Sequence, residues 1–168
     1  MAHLPKDVLV KRLRNEIKTV CDYLGAEIDV DNRAFDEFPL EMTFSMKNVP
    51  ALTCNGGYIR KIRNHAFSLI IEDSYPFQKP RVRWETPIFH PNIMDPEDGG
   101  HVCIKLLDTW TFNTSLLSFI RGMEHLLMNP NPMSPFGTDS CIEATKFILG
   151  DNVHDYSFQN VSAGDSKG

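Results

Sequence analysis

The chain has 168 residues, enough for one domain with an adequate core, and 17 basic against 22 acidic residues give a net charge of −5. That balance argues against general nucleic-acid binding, which needs a basic surface, but allows a local basic patch for an acidic protein partner. No apolar run approaches the ~20 residues of a membrane span.

The start, Met-Ala-His-Leu-Pro-Lys-Asp, lacks the apolar core of a secretory signal. The four cysteines, Cys21, Cys54, Cys103 and Cys141, form no CxxC pair, which argues against structural zinc and for free thiols in a reducing, cytoplasmic setting.

Residues 6–24 predict an amphipathic helix. Leu9, Leu13, Ile17, Val20 and Leu24 recur every three or four residues, and Gly25 suits the C-terminal cap. Lys6, Lys11, Arg12, Arg14 and Lys18 make this helix the most basic stretch of the chain, either as a solvated face or as a docking site for an acidic surface.

The period then drops to two. Phe38, Leu40, Met42, Phe44 and Met46 alternate with Glu41, Thr43, Ser45 and Lys47, the pattern of a half-buried strand. Tyr58 to Arg63 and Ala66 to Ile71 predict two more strands joined through Asn64-His65, and Val82 with Trp84 predicts a fourth. Short connections favour an antiparallel meander. Helix returns at 114–128, with Thr114 as N-cap, and is stopped by the prolines of "NPNPMSP" (129–135). A last helix fits 141–149, with Ser140 and Glu143 at capping-box spacing and Gly150 as its end. The expectation is an α+β fold: an N-terminal helix, a four-stranded antiparallel sheet, an irregular segment and C-terminal helices. Residues 1–150 are expected to form one core, and 151–168 an extension mobile at its end.

The irregular segment carries the chemistry. "YPFQKPRVRWETPIFHPN" (75–92), Cys103, Trp110 and "NPNPMSP" together resemble the ubiquitin-conjugating enzyme family, over roughly residues 5–150. The resemblance implies that Cys103 accepts ubiquitin or a ubiquitin-like protein from an activating enzyme as a thioester, then releases it to a lysine amine, usually with a ligase. ATP is consumed by the activating enzyme, so no cofactor and no metal are expected here. The partners it implies are the modifier, the activating enzyme and a ligase, with no nucleic acid, no membrane and a monomeric chain.

Residue chemistry supports that role independently. A thiol with the ordinary pKa of about 8.5 is already a few per cent thiolate at neutral pH, so sulfur-to-sulfur exchange needs no dedicated base. By resemblance Asn92 offers a side-chain amide to the oxyanion formed on lysine attack, although asparagine is also a common turn residue. His90 orients that turn, and Pro91 fixes the geometry between the two.

A lysine acceptor has a reference pKa of about 10.4, leaving about one in 2,500 neutral at pH 7, so a carboxylate or desolvation must help. Family members often carry an acid where this chain has Ser134, while the loop before Cys103 is longer than usual and holds Asp95, Glu97 and Asp98. That loop either replaces the missing carboxylate or is merely solvated. Lys105 stands where the family often has an acid.

By the same resemblance Lys6, Lys11, Arg12 and Arg14 face the activating enzyme and Pro76 and Phe77 face the ligase, while Phe112 either adds an apolar anchor to that surface or packs inward. The segment "TFN" (111–113) departs from the usual proline-containing loop, and the family's last helix is shortened or absent after Gly150. Two other readings compete: a noncatalytic module of the same fold that presents the modifier to another enzyme, and a cysteine hydrolase using His90 or His101. Cys141, at a helix start, is a secondary candidate for the nucleophile.

Overall fold

The computed structural model describes residues 2–30, 35 and 37–150; the extension expected at 151–168 lies outside them. The first helix, α1 (Lys6–Leu24), has the predicted bounds, with Leu9, Leu13, Ile17, Val20 and Cys21 buried. Gly25 ends it at φ 69°, a left-handed conformation that glycine adopts without strain.

Five strands follow: β1 (Leu40–Met46), β2 (Ala51–Asn55), β3 (Tyr58–Ile62), β4 (His65–Ile71) and β5 (Arg81–Trp84). β1 buries Leu40, Met42, Phe44 and Met46 and exposes the residues between them, as its period predicts.

The pairing departs from a four-strand meander. β1 pairs antiparallel with β4 (Leu40 opposite Ile71, Met46 opposite His65), and β4 pairs with β5. Strands β2 and β3 form a separate hairpin. The missed strand is β2, and the reason is local. Gly56 and Gly57, at φ 55° and 82°, make a two-residue turn with positive φ at both positions, which folds Asn55 back against Tyr58. The chain between β1 and β4 therefore closes on itself, leaving β1 free to take β4 as its neighbour.

Two longer helices complete the fold after a short one, α2 (Lys105–Asp108). α3 (Leu116–Met128) is capped by Ser115, whose hydroxyl accepts from Ser118 N–H, one residue beyond the expected Thr114. α4 (Asp139–Leu149) is capped by Thr138, which accepts from Cys141 N–H. Glu143 instead pairs with Lys146 at 3.2 Å, so the expected capping box is not formed.

α1 packs on α3 and β1 over the main core, where Trp84 lies fully buried against Phe67 and His65. A second, smaller cluster joins Leu52 and Ile59 of the hairpin to Phe89 and to Ala144 and Phe147 of α4. These two clusters hold residues 85–104 between the sheet and the last helix. Among the described residues no helix is long and apolar enough to cross a membrane.

Candidate active site

The His-Pro-Asn turn is a junction of three chain segments. The buried His90 ring bridges two of them: Nδ1 accepts from Asn92 N–H at 3.0 Å, which leaves the proton on Nε2 to donate to Leu126 O at 2.9 Å. Pro91 O accepts from Phe136 N–H at 3.0 Å. Asn92, only 2% exposed, donates both Nδ2 hydrogens, to Asn131 O at 3.0 Å and Ser134 O at 3.1 Å, and its Oδ1 accepts from Asn131 N–H at 2.7 Å. The "NPNPMS" turn is thus pinned by one carboxamide. In this state the amide expected to serve an oxyanion has no unengaged donor.

Because both ring nitrogens of His90 are engaged, it is a positioning residue and cannot take a proton from a thiol. Burial pushes its imidazole down from 6.5 to about 4. The unfolded chain protonates near pH 6.5 and the folded chain only near 4, so stability is full above pH 6.5 and falls as pH drops through that window. Each unit is worth about 1.4 kcal/mol, or roughly 3 kcal/mol by pH 4. His65, lowered for the same reason of burial, adds in the same direction. Urea unfolding at pH 7 and pH 4.5 should show this loss, and His90→Asn should flatten it.

From Asn92 the chain runs into a short ladder. Ile93 pairs with Val102, Met94 N–H donates to His101 O at 2.8 Å, and Cys103 N–H donates to Asn92 O at 2.9 Å. The ladder sets Cys103 opposite Asn92, with the thiol exposed. Cys141 is buried, its Sγ directed at Ile93 O at 3.6 Å, and burial pushes its thiol up. It is therefore no nucleophile. Cys21 is buried as well, whereas Cys54, on β2, is exposed; nothing in the sequence separated Cys54 from the buried pair, because its strand was unrecognised.

The acidic loop closes the ladder but does not gather around the thiol. Asp95 caps a 3₁₀ turn (Pro96–Asp98), its carboxylate accepting from Glu97 N–H at 3.0 Å and Ile88 N–H at 3.2 Å. Asp98 accepts from the Ser140 hydroxyl at 3.1 Å. Asp95, Glu97 and Asp98 line a groove of about 870 Å³ together with Cys54, Arg60 and Glu143, and Cys103 is not part of its wall. Two of the three carboxylates, Asp95 and Asp98, are thus engaged in holding the loop. Ser134 is exposed and contributes its carbonyl to Asn92.

Gly100 locks the loop to the sheet. Its carbonyl accepts from Trp84 N–H at 2.8 Å. At its φ of 67°, a Cβ would stand 2.6 Å from Trp84 O and 2.9 Å from Trp84 N. Both contacts are backbone and cannot swing aside. Gly100→Ala should cost upwards of about 2 kcal/mol, the left-handed penalty plus the clash, and should lower the urea midpoint.

The partner surfaces divide differently from expectation. Lys6, Lys11 and Arg14 line one shallow groove along α1. Arg12 leaves that face: it donates to Phe112 O at 2.7 Å and Thr114 O at 3.3 Å, and lies over the Tyr75 and Phe112 rings. Its guanidinium gains two carbonyls and two aromatic faces there, which outweighs a solvated position. Phe77 and Phe112 form an exposed pair with ring centroids 5.3 Å apart. Pro76 is buried, and its carbonyl accepts from Trp110 Nε1–H at 2.8 Å, so it supports that surface without forming it.

Comparison with known proteins points to one family. The family model for ubiquitin-conjugating enzyme matches residues 58–146, more than half of the chain. A probable ubiquitin-conjugating enzyme of Acanthamoeba polyphaga mimivirus is 27% identical, covering 88% of this chain and 90% of its own length. The NEDD8-conjugating enzyme UBC12 of Kluyveromyces lactis is 28% identical, covering 77% of this chain and 64% of its own. The chain spans little more than a third of the vertebrate relatives it matches. Among solved structures, the E2 domain of a Toxoplasma gondii ubiquitin conjugating enzyme superposes with a TM-score of 0.52 at 17% identity, covering 92% of each chain. That likeness establishes the fold.

Proposed function

The chain belongs to the ubiquitin-conjugating enzyme family, and on that premise we propose that Cys103 carries ubiquitin or a ubiquitin-like protein as a thioester and delivers it to a lysine amine. One observation supports this above the rest: Cys103 is exposed and held by its own backbone N–H against the carbonyl of Asn92. A noncatalytic module would have no need of a thiol so placed. The hydrolase reading loses one of its two candidate bases, because His90 is buried with both nitrogens engaged.

In loading, the Cys103 thiolate attacks the thioester carbonyl presented by the activating enzyme. A new S–C bond forms, the old one breaks, and the other thiolate leaves. The exchange trades like for like and needs little driving force. In discharge, a lysine nitrogen attacks the same carbonyl and its oxygen takes up negative charge. Asn92 hands one Nδ2 hydrogen from Ser134 O to that oxyanion. Exchanging a neutral hydrogen bond costs about 1 kcal/mol, whereas one oxyanion donor is worth about 2.7–4 kcal/mol, so the exchange is favourable. The amide can then anchor the turn at rest and still donate in the transition state.

The groove at Lys6, Lys11 and Arg14 takes the activating enzyme, and Phe77 with Phe112 takes a ligase, aromatic pairs being common interface anchors. Arg12 braces the second surface from the helix that carries the first.

The test is charging with ATP, an activating enzyme and each of a set of modifiers, followed by electrophoresis without reductant. A reductant-sensitive adduct supports the proposal. No adduct with any modifier, while binding persists, would favour the noncatalytic module.

A further inference from the structure

Discharge leaves one proton without a taker. As a lysine nitrogen bonds to the thioester carbonyl it becomes strongly acidic, and it must lose a proton before the amide is complete. Ser134 carries no acid, and Asp95 and Asp98 hold their loop, on a groove whose wall excludes Cys103. The ladder brings a different group to the thiol.

Ile93 and Val102 stand opposite each other and are buried, at 0% and 8% exposure. The hydrogen bonds that flank them run from Met94 N–H to His101 O and from Cys103 N–H to Asn92 O. Side chains alternate along a strand, and opposite residues share a face. His101, Cys103 and Asn92 therefore project together, away from Ile93 and Val102, with Asn92 covered there by the turn it pins. His101 and Cys103 are exposed and stand about 6.6 Å apart along the strand. The His101 ring lies beside Gly99, where a Cβ would stand 3.3 Å from its Cδ2. Its imidazole makes no hydrogen bond or ion pair among the described residues, whereas His65 and His90 are buried and bonded to carbonyls. No bond has to break for the ring to turn toward the thiol.

We propose that His101 is the general base of discharge: its neutral imidazole takes the proton of the acceptor nitrogen as that nitrogen attacks the thioester on Cys103. This rests on the thioester reading above. The lysine attacks in its neutral form, a C–N bond forms and the carbonyl oxygen takes up charge against the Asn92 amide. One proton passes from the nitrogen to the imidazole. The C–S bond then breaks, Cys103 leaves as thiolate, and the imidazolium returns its proton to solvent. Histidine changes charge between pH 5 and 8, which suits it to take such a proton near neutrality. Loading exchanges one thiolate for another and has no amine proton to remove, so the effect falls on discharge.

Ubiquitin and NEDD8, each with its own activating enzyme, serve as probes in separate arms. Loaded protein, with the activating enzyme quenched, is chased with free lysine, and the lysine conjugate of the modifier is counted by mass. His101→Gln and His101→Ala should load as the parent does and form the conjugate about 10²-fold more slowly, the low end of general-base catalysis. Added imidazole should restore the alanine variant severalfold and leave the parent unchanged, which a merely structural role would not show.

Two outcomes overturn the proposal while leaving the carrier reading intact: both variants forming the conjugate at the parent rate, or a loss that imidazole does not restore. A His101-dependent release of the modifier to water, which added lysine does not divert, overturns it in favour of hydrolysis. Failure of both probes to form any thioester overturns the carrier reading together with this one.

Discussion

Replacing Cys103 with alanine should abolish the reductant-sensitive adduct, and replacing it with serine should convert that adduct into one that survives reductant. The first outcome follows from exposure. Cys21 and Cys141 are buried and burial pushes both thiols up, so neither can substitute. Cys54 is exposed but lies on the hairpin, on the wall of a groove from which Cys103 is absent. The second outcome follows from leaving groups. An alkoxide leaves far less readily than a thiolate, so an oxyester formed at 103 resists both exchange and discharge. Neither substitution should disturb the fold, because the sulfur makes no contact the core depends on. The measurement is a nonreducing gel of the loaded parent and the two variants, with urea unfolding alongside. A parent-like adduct in Cys103→Ala would remove the site assignment.

Asn92→Ala should have the next largest effect, on two quantities at once. Three part-buried hydrogen bonds to Asn131 and Ser134 disappear, each worth about 0.5–1.5 kcal/mol in unfolding free energy. Discharge to free lysine should fall about 10²–10³-fold through loss of the oxyanion donor, while loading, which needs no such donor on an amine attack, is far less affected. Asn92→Asp separates the two roles. It keeps an acceptor for Asn131 N–H but has no donor, and it sets a carboxylate against two carbonyls. It should discharge as poorly as alanine and be less stable still. Stopped samples of preloaded protein, chased with lysine, report discharge apart from loading. If both variants discharge at the parent rate after allowance for unfolding, the carboxamide is an anchor and nothing more.

How far the sequence revealed this structure depended on the range of the interactions involved. α1 was legible to the residue because its apolar stripe, its basic outer face and its glycine cap are all local. β1 was legible for the same reason, through period-two alternation. Strand β2 was not: Ala51, Leu52 and Thr53 are all buried, which hides any alternation, and the Gly56-Gly57 turn reads as loose chain unless its two positive φ angles are known. The order β1-β4-β5 depends on that closure, so it too was hidden.

The site divides in the same way. Cys103 and the His-Pro-Asn turn stood out in the chain, but the partners of Asn92 lie some forty positions later. Arg12 was counted among the docking residues from the family resemblance and the basic character of α1; its partners in the fold, Phe112 and Thr114, lie about a hundred residues away. The sequence left the acidic loop open between a catalytic and a solvated role, whereas in the fold Asp95 caps a turn and Asp98 ties it to α4. Charge was visible in sequence, and direction was not.

The identity of the sulfur that holds the modifier decides the mechanism. Nonreducing digestion of the freshly loaded protein, with mass spectrometry of the thioester-linked peptide, identifies it directly. The modifier's C-terminal fragment should appear on the peptide containing Cys103 alone. Recovery on the Cys54 peptide, with Cys103 left open to alkylation, would contradict it.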